Sequence, residues 1–347
     1  MKKYLLFLSL STLVFACGGG DTEKKKLKFN ETGKETSDDP LLAKAKGVFQ
    51  AIPDQAENPE NPISPEKVAL GKMLYYDTRL SLTGNNSCNS CHDLSKYGVD
   101  GEVTSVGDNG GRGTRNSPTV LNAALHGMQF WDGRAKDVEE QAGMPILNPV
   151  EMAIPNEAFL VKKLKGVEEY KSLFAKAFPG TEDPLTYKNI TYAIAAFERT
   201  LLTPSRFDQY LKGDANALNE KEKEGLQLFM DVGCTTCHMG TAVGGGIMQK
   251  FGLYGDYRSF TGSTIPDEGK KAVTKNDADK DVFKTCSLRN VEKTAPYFHD
   301  GSVSDLKKAI DIMAKTELDK TLQPNEIESI EAFLKSLTGE VPKSALQ

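Results

Sequence analysis

Apolar positions divide the chain into three regimes. Tyr4 to Ala16 is an uninterrupted apolar run behind Lys2 and Lys3. A membrane-spanning helix needs about 20 apolar residues, so this shorter run predicts the core of an export signal, residues 1–17, rather than an anchor. Residues 18–45 are mostly polar, Gly-rich and charged, with too few apolar groups to pack, and predict a flexible linker. From residue 46 onward apolar positions recur at helical spacing. Phe159, Leu160, Leu164, Val167, Tyr170 and Phe174 predict a helix over 156–178, and similar periods mark 187–202, 302–314 and 324–337. Ser64-Pro65 supplies an N-cap followed by a first-turn proline, which starts a helix running to Tyr76. Asn219 with Glu222 three residues later forms a capping-box pattern ahead of Leu226–Met230. The run Thr119–Met128, which contains His126, also reads as helical, and His126 is given a structural role. Strand signals are few. The stretches 98–117 and 240–280 are Gly- and Asp-rich, and their length points to function rather than mere connection.

Composition adds bounds. At 347 residues and 39% hydrophobic content the chain can build two domains. Its 43 basic and 48 acidic side chains give a net charge of −5, so nucleic acid binding through a basic surface is excluded as a class. Six cysteines, four histidines and one tryptophan carry most of the chemistry. Cys17 follows Val14-Phe15-Ala16 and precedes Gly18. That is similar to a bacterial lipobox, with Phe15 where a small residue is usual, and it predicts lipid attachment at Cys17 and a membrane association of no other kind. Four more cysteines lie in Cys88-Asn89-Ser90-Cys91-His92 and Cys234-Thr235-Thr236-Cys237-His238. Cys-x-x-Cys-His is the attachment pattern of c-type haem: two thiols add to the two vinyl groups of one porphyrin, and the adjacent imidazole reaches the iron. A zinc site would use the thiolates but gives no reason for a histidine after each pair. Cys286, in an apolar-flanked run, reads as a buried thiol.

The two motifs have similar approaches, Gly71-Lys72-Met73-Leu74-Tyr75 before the first and Gly225-Leu226-Gln227-Leu228-Phe229 before the second. The fold expected is therefore mainly α, with two cytochrome c-like domains, 46–208 and 209–347, each with one covalently bound c-type haem.

Further segments carry a resemblance. Tyr97-Gly98-Val99-Asp100-Gly101, Arg115-Asn116-Ser117-Pro118-Thr119, Phe130-Trp131-Asp132-Gly133-Arg134, Ser287-Leu288-Arg289-Asn290 and Ala295-Pro296-Tyr297-Phe298-His299-Asp300-Gly301-Ser302 are similar to segments of the bacterial dihaem cytochrome c peroxidases. That family shares a superfamily with the dihaem enzyme that matures a tryptophan-derived quinone cofactor. The resemblance implies a peroxidatic domain 46–208 and an electron-transfer domain 209–347. It makes His92 and His238 the proximal iron ligands and Met313 the second ligand of the second haem, a pair that raises haem potential. Glu151 is implied as the base that moves a proton between the oxygens of peroxide, Gln141 as the group that orients them, and Trp131 as an electron path between haems. Asn116, Thr294 and Pro296 match a calcium site of oxygen ligands. One departure stands out. Many members carry a blocking histidine sixteen residues past the first proximal histidine, and here that position is Asp108. A peroxidatic haem open to peroxide without prior reduction is the consequence expected.

The activity implied is reduction of hydrogen peroxide to water with electrons from a small redox protein, a cytochrome c or a cupredoxin, in the periplasm. A homodimer is the expected assembly. The rival readings are a dihaem oxidase modifying a protein substrate, for which a tyrosine in place of Met313 would be expected, and a dihaem electron carrier without catalysis.

Overall fold

The computed structural model describes residues 39–346. The expected signal peptide, Cys17 and the linker up to residue 38 lie outside them. The described chain is helical, with one short antiparallel ribbon, Met248–Lys250 against Val282–Lys284, in which Gln249 faces Phe283.

Two hydrophobic cores organise it. The first gathers Leu70, Leu74, Tyr75, Leu121, Ile146, Leu160, Tyr170, Phe174, Ile194 and Phe197. The second gathers Phe207, Tyr210, Leu226, Phe229, Val243, Ile310, Ile330, Phe333 and Leu337. Each is built around one close helix crossing. The helix Pro65–Tyr76, capped by Ser64 as expected, crosses Tyr187–Glu198 at Gly71. A Cβ at Gly71 would fall 1.8 Å from the Ala193 carbonyl oxygen. The helix Glu220–Asp231, with the expected Asn219/Glu222 capping box, crosses Pro324–Lys335 at Gly225. A Cβ there would fall 1.8 Å from the Ser329 carbonyl oxygen. Only glycine permits either approach. The partner surfaces also correspond, since Ala193 and Phe197 meet Gly71 as Ser329 and Phe333 meet Gly225. The expected helix 302–314 runs instead from Leu306 to Leu318, started by an Asp305 cap.

Several expectations are corrected. The predicted helix over 156–178 is two helices, Glu157–Lys165 and Glu168–Ala177. Gly166 ends the first and extended Val167 turns the chain, while Leu160, Leu164, Tyr170 and Phe174 still enter one core. Thr119–Met128 is not a helix; it holds a single tight turn, Ala123–Leu125. Asn122 adopts a left-handed conformation there, and its side chain donates to Thr203 Oγ1 at 2.7 Å and accepts from Thr203 N. This remote partner outweighs the local apolar pattern.

The expected linker 18–45 is too long at its far end. Asp39 caps a helix, Pro40–Lys46, that buries Leu42 and Ala45. These residues and Phe49 join the second core, where the Phe49 ring meets Phe207 edge-on at 5.3 Å. A first domain beginning at 46 therefore starts with residues that pack elsewhere. The C-terminal segment does the converse. Ala345 is buried in the first core, the Lys72 ammonium donates to the Ser344 and Leu346 carbonyls, and the Tyr76 hydroxyl donates to the Ala345 carbonyl. The second core is thus closed by residues expected as linker and as the start of the first domain, and the first core by the end of the chain expected in the second.

Candidate functional site

The first motif forms one helical turn, Cys88–Cys91, entered through a Ser87/Ser90 capping box. The Tyr75 hydroxyl donates to the His92 carbonyl at 2.6 Å and fastens this turn to the helix Pro65–Tyr76. Burial pushes the Cys88 thiol well up. Burial also holds His92 below its ordinary pKa, against the opposing pull of Asp100 and of the Pro118 and Gly98 carbonyls.

The second motif begins in a tight turn, Cys234–Thr236, directly after the helix Glu220–Asp231 and a left-handed Gly233. Burial pushes the Cys234 thiol up to about 12 and lowers His238 to about 4. Both imidazoles are thus neutral at pH 7, the form that binds iron. In both, Nδ1 is enclosed by protein and forms no hydrogen bond, so it faces packed chain rather than open space.

Cys234, Cys237 and His238 line a cavity whose wall also contains Leu306, Ile310 and Met313. Helical periodicity alone would give Met313 to the core; the fold puts its thioether in the same chamber as His238. The cavity walls are largely apolar, which suits a porphyrin face.

A segment that belongs to the first core's half of the chain closes this chamber. Asn116, Ser117, Pro118 and Trp131 contribute to its wall. The Trp131 indole N–H donates to the Asn116 carbonyl at 2.9 Å, and its own carbonyl accepts from Lys284 N. His299 stacks on Phe283 with ring centroids 4.1 Å apart and meets Trp131 edge-on at 6.4 Å. Residues 116–118 thus come from the half of the chain that carries the first motif and border the cavity of the second. Arg115 anchors this stretch through 2.6 Å ion pairs to Asp132 and Asp267.

Asn116, Thr294 and Pro296 border the same cavity. Asn116 spends its amide nitrogen on the Glu102 carbonyl at 2.9 Å, which leaves the side-chain oxygen for another partner. Among the described residues, no cluster of three His, Cys, Asp or Glu side chains offers a metal site, so a cation here would rest on neutral oxygens.

Glu151 sits at the end of an Asn148-Pro149 turn. The Asn148 side-chain oxygen accepts from Val150 N at 3.0 Å, and its amide donates to the Glu151 carboxylate at 2.9 Å. Burial raises the Glu151 pKa; the Arg134 charge and the Asn148 bond oppose it only in part. Burial raises the Cys91 thiol, and the charges of Asp100 and Glu151 add to that direction. Gln141 ends the short helix Val138–Gln141 on the segment leading to Glu151, half-buried. Among the described residues, no hydrogen bond joins it to Glu151.

Asp108 is buried, at 4% exposure. Its two carboxylate oxygens accept from Thr83 N at 2.7 Å and Asn85 N at 3.1 Å, and its own N–H donates to the Glu151 carbonyl at 2.7 Å. Those bonds hold its pKa down against desolvation. The loop Ser81–Ser87 and the loop carrying Asp108 are thereby stitched together beside Glu151. His126 lines the second cavity, with its Nδ1 3.2 Å from the Lys284 ammonium. Lys284 is the residue that sequence reasoning missed. The available signal was a lone lysine inside the apolar run Val282-Phe283-Lys284-Thr285-Cys286.

Two paired thiol–imidazole sites on a helical scaffold define a class of dihaem proteins, and comparison with known proteins agrees. The family model for di-haem cytochrome c peroxidase matches residues 65–216. Cytochrome c551 peroxidase of Nitrosomonas europaea is 47% identical over 291 residues, 84% of each chain. That of Pseudomonas aeruginosa is 46% identical over 309 residues, 88% of each chain. Among solved structures, a MauG-like protein associated with microbial copper homeostasis superposes with a TM-score of 0.74 at 31% identity, covering 85% of this chain and 96% of its own. This chain belongs to the di-haem cytochrome c peroxidase family.

Proposed function

We propose that this chain is a dihaem peroxidase, H2O2 + 2H⁺ + 2e⁻ → 2H2O, supplied with electrons by a small redox protein, a cytochrome c or a cupredoxin. The observation that carries the reading is Glu151, a half-buried carboxyl held by the Asn148 amide, whose pKa burial raises. An electron carrier has no use for such a group.

The residues suit two haems, one in each half, 46–208 and 209–347, with the ends exchanged as described. Cys88 and Cys91 would tether the first and His92 would bind its iron. Cys234 and Cys237 would tether the second, and His238 and Met313 would bind its iron. When bound, the haems supply the iron that cleaves the O–O bond and the electron storage that lets two single electrons meet one peroxide.

The chain's own groups do the rest. Glu151 accepts the proton of the nearer peroxide oxygen and returns it to the departing one, and Asn148 holds the carboxylate in place for both transfers. The Gln141 amide orients peroxide. Trp131, fixed by its bond to Asn116, lies on the route between the second cavity and the first motif. Calcium on Asn116, Thr294 and Pro296 would brace that route. Asp108 is committed to two backbone amides and offers no ligand to iron, so peroxide would be admitted at the first site without reductive activation.

Export through residues 1–17, lipid at Cys17 and a periplasmic position complete the reading. Among the described residues no helix is long and apolar enough to cross a membrane. A homodimer is part of the proposal as well. Met313, where the protein-modifying relatives would need tyrosine, favours the peroxidase over an oxidase of protein substrates. Peroxide consumption by the oxidised enzyme with reduced cytochrome c or cupredoxin tests it. Turnover without a lag is expected. Oxidation of a protein with no donor turnover would establish the oxidase instead, and absence of both would leave a carrier.

A further inference from the structure

The second cavity encloses two side chains that the peroxidase reading leaves unemployed. Lys284 is 6% exposed, on the strand Val282–Lys284. Among the described residues its ammonium has no carboxylate within ion-pair distance; its partner is His126 Nδ1 at 3.2 Å. Accepting from an ammonium fixes the His126 proton on Nε2, and Nε2 is buried with no partner. The pair therefore presents donors on both members and an acceptor on neither.

Desolvation works against its charge. Burial pulls Lys284 down to about 8, and burial together with the neighbouring Lys284 charge pulls His126 far below its ordinary range. The other groups around the cavity do not supply the missing anion. The Glu317 carboxylate already accepts from Gly252 N at 2.7 Å. Cys286 is a buried thiol whose pKa burial raises, and His238 and His299 are imidazoles lowered by burial. A buried ammonium is tolerated when an anion meets it, and two donors facing one chamber match the two oxygens of a carboxylate.

We infer that Lys284, braced by His126, is the receptor for a carboxylate, namely a propionate of the second haem. The inference rests on the reading that this cavity holds that haem. The pair then sets electron transfer as well as fit, because a positive charge in a low-dielectric wall disfavours oxidised iron and raises the potential of the His/Met centre.

The experiment compares holoprotein of the wild type, K284M, K284R and H126F by haem counting, by the His/Met absorption signature and by spectroelectrochemical titration. K284M is expected to lower the midpoint potential of the second haem, with the first haem little changed. K284R should stay near the wild type, and H126F should fall part of the way. A free acid, acetate, should leave the wild-type potential unmoved because the site is already filled. Retention of both haems with an unchanged potential in K284M and H126F overturns the inference. An acetate-dependent shift in the wild type also overturns it, because the anion would then be a diffusible one. A purely structural lysine predicts that K284M is loaded at least as well as wild type, since methionine removes an unpaired charge. Loss of the second haem from K284M with K284R loaded therefore supports the carboxylate contact. A wild type with no haem on Cys234 and Cys237 would fail the dihaem reading itself.

Discussion

At the scale of single residues, the chemistry depends on groups whose surroundings the chain assembles from far apart. Glu151 in Asn-Pro-Val-Glu-Met reads as an ordinary surface carboxylate, and only the family resemblance singled it out. Its partial burial and its backbone bond to the Asp108 loop come from contacts no local pattern encodes. E151Q keeps the shape and removes the base, so kcat/KM for peroxide should fall about 10²–10⁴-fold in stopped-flow assays. Because burial raises the Glu151 pKa, its base form is lost at a higher pH than for an ordinary glutamate, about 4.3. The wild-type rate should fall on acidification through that raised value, and the limb should vanish in E151Q. Asp108 was legible as an absence, a histidine not there. What the sequence did not reveal is what the aspartate does instead, since its partners Thr83 and Asn85 lie on another loop. D108A should lower unfolding stability by roughly 1–3 kcal/mol, through two amides left without acceptors, as measured by denaturant titration. An Asn at 108 should not rescue it, because it can satisfy only one of them.

Among helices, legibility follows the range of the cause. Caps are local, and Ser64, Asn156 and Asn219 all start helices where the sequence places them. The break at Gly166-Val167 was also local, but the apolar period runs through it and hides it. Thr119–Met128 failed for the opposite reason, a tertiary bond from Asn122 that periodicity does not contain. The paired glycines are intermediate. The repeated approach from Gly71 and Gly225 to the two motifs is visible in sequence; the crossing partners Ala193 and Ser329 are not. G71A and G225A should each cost about 1–3 kcal/mol or more by overpacking a backbone contact. Thermal melts should show G71A loosening the first haem's environment and G225A the second's.

For the molecule as a whole, the two cores were foreseeable from the two motifs, and the exchange of chain ends was not. Residues 39–45 directly follow a polar, Gly-rich stretch and read as its end, yet Leu42 and Ala45, with Phe49 beyond them, fill the second core. A chain starting at residue 50 should lose about 3–5 kcal/mol from the Phe49 contact alone. Unfolding followed at the second haem should move to lower temperature before any change at the first. The same exchange governs how the protein is made. During synthesis Leu42 and Phe49 emerge long before Phe207 and Phe333, which seat them, and the first core waits for Ala345. Neither half is finished until translation is nearly complete, so prematurely terminated products hold two open cores and are marked for disposal by their exposed apolar surface.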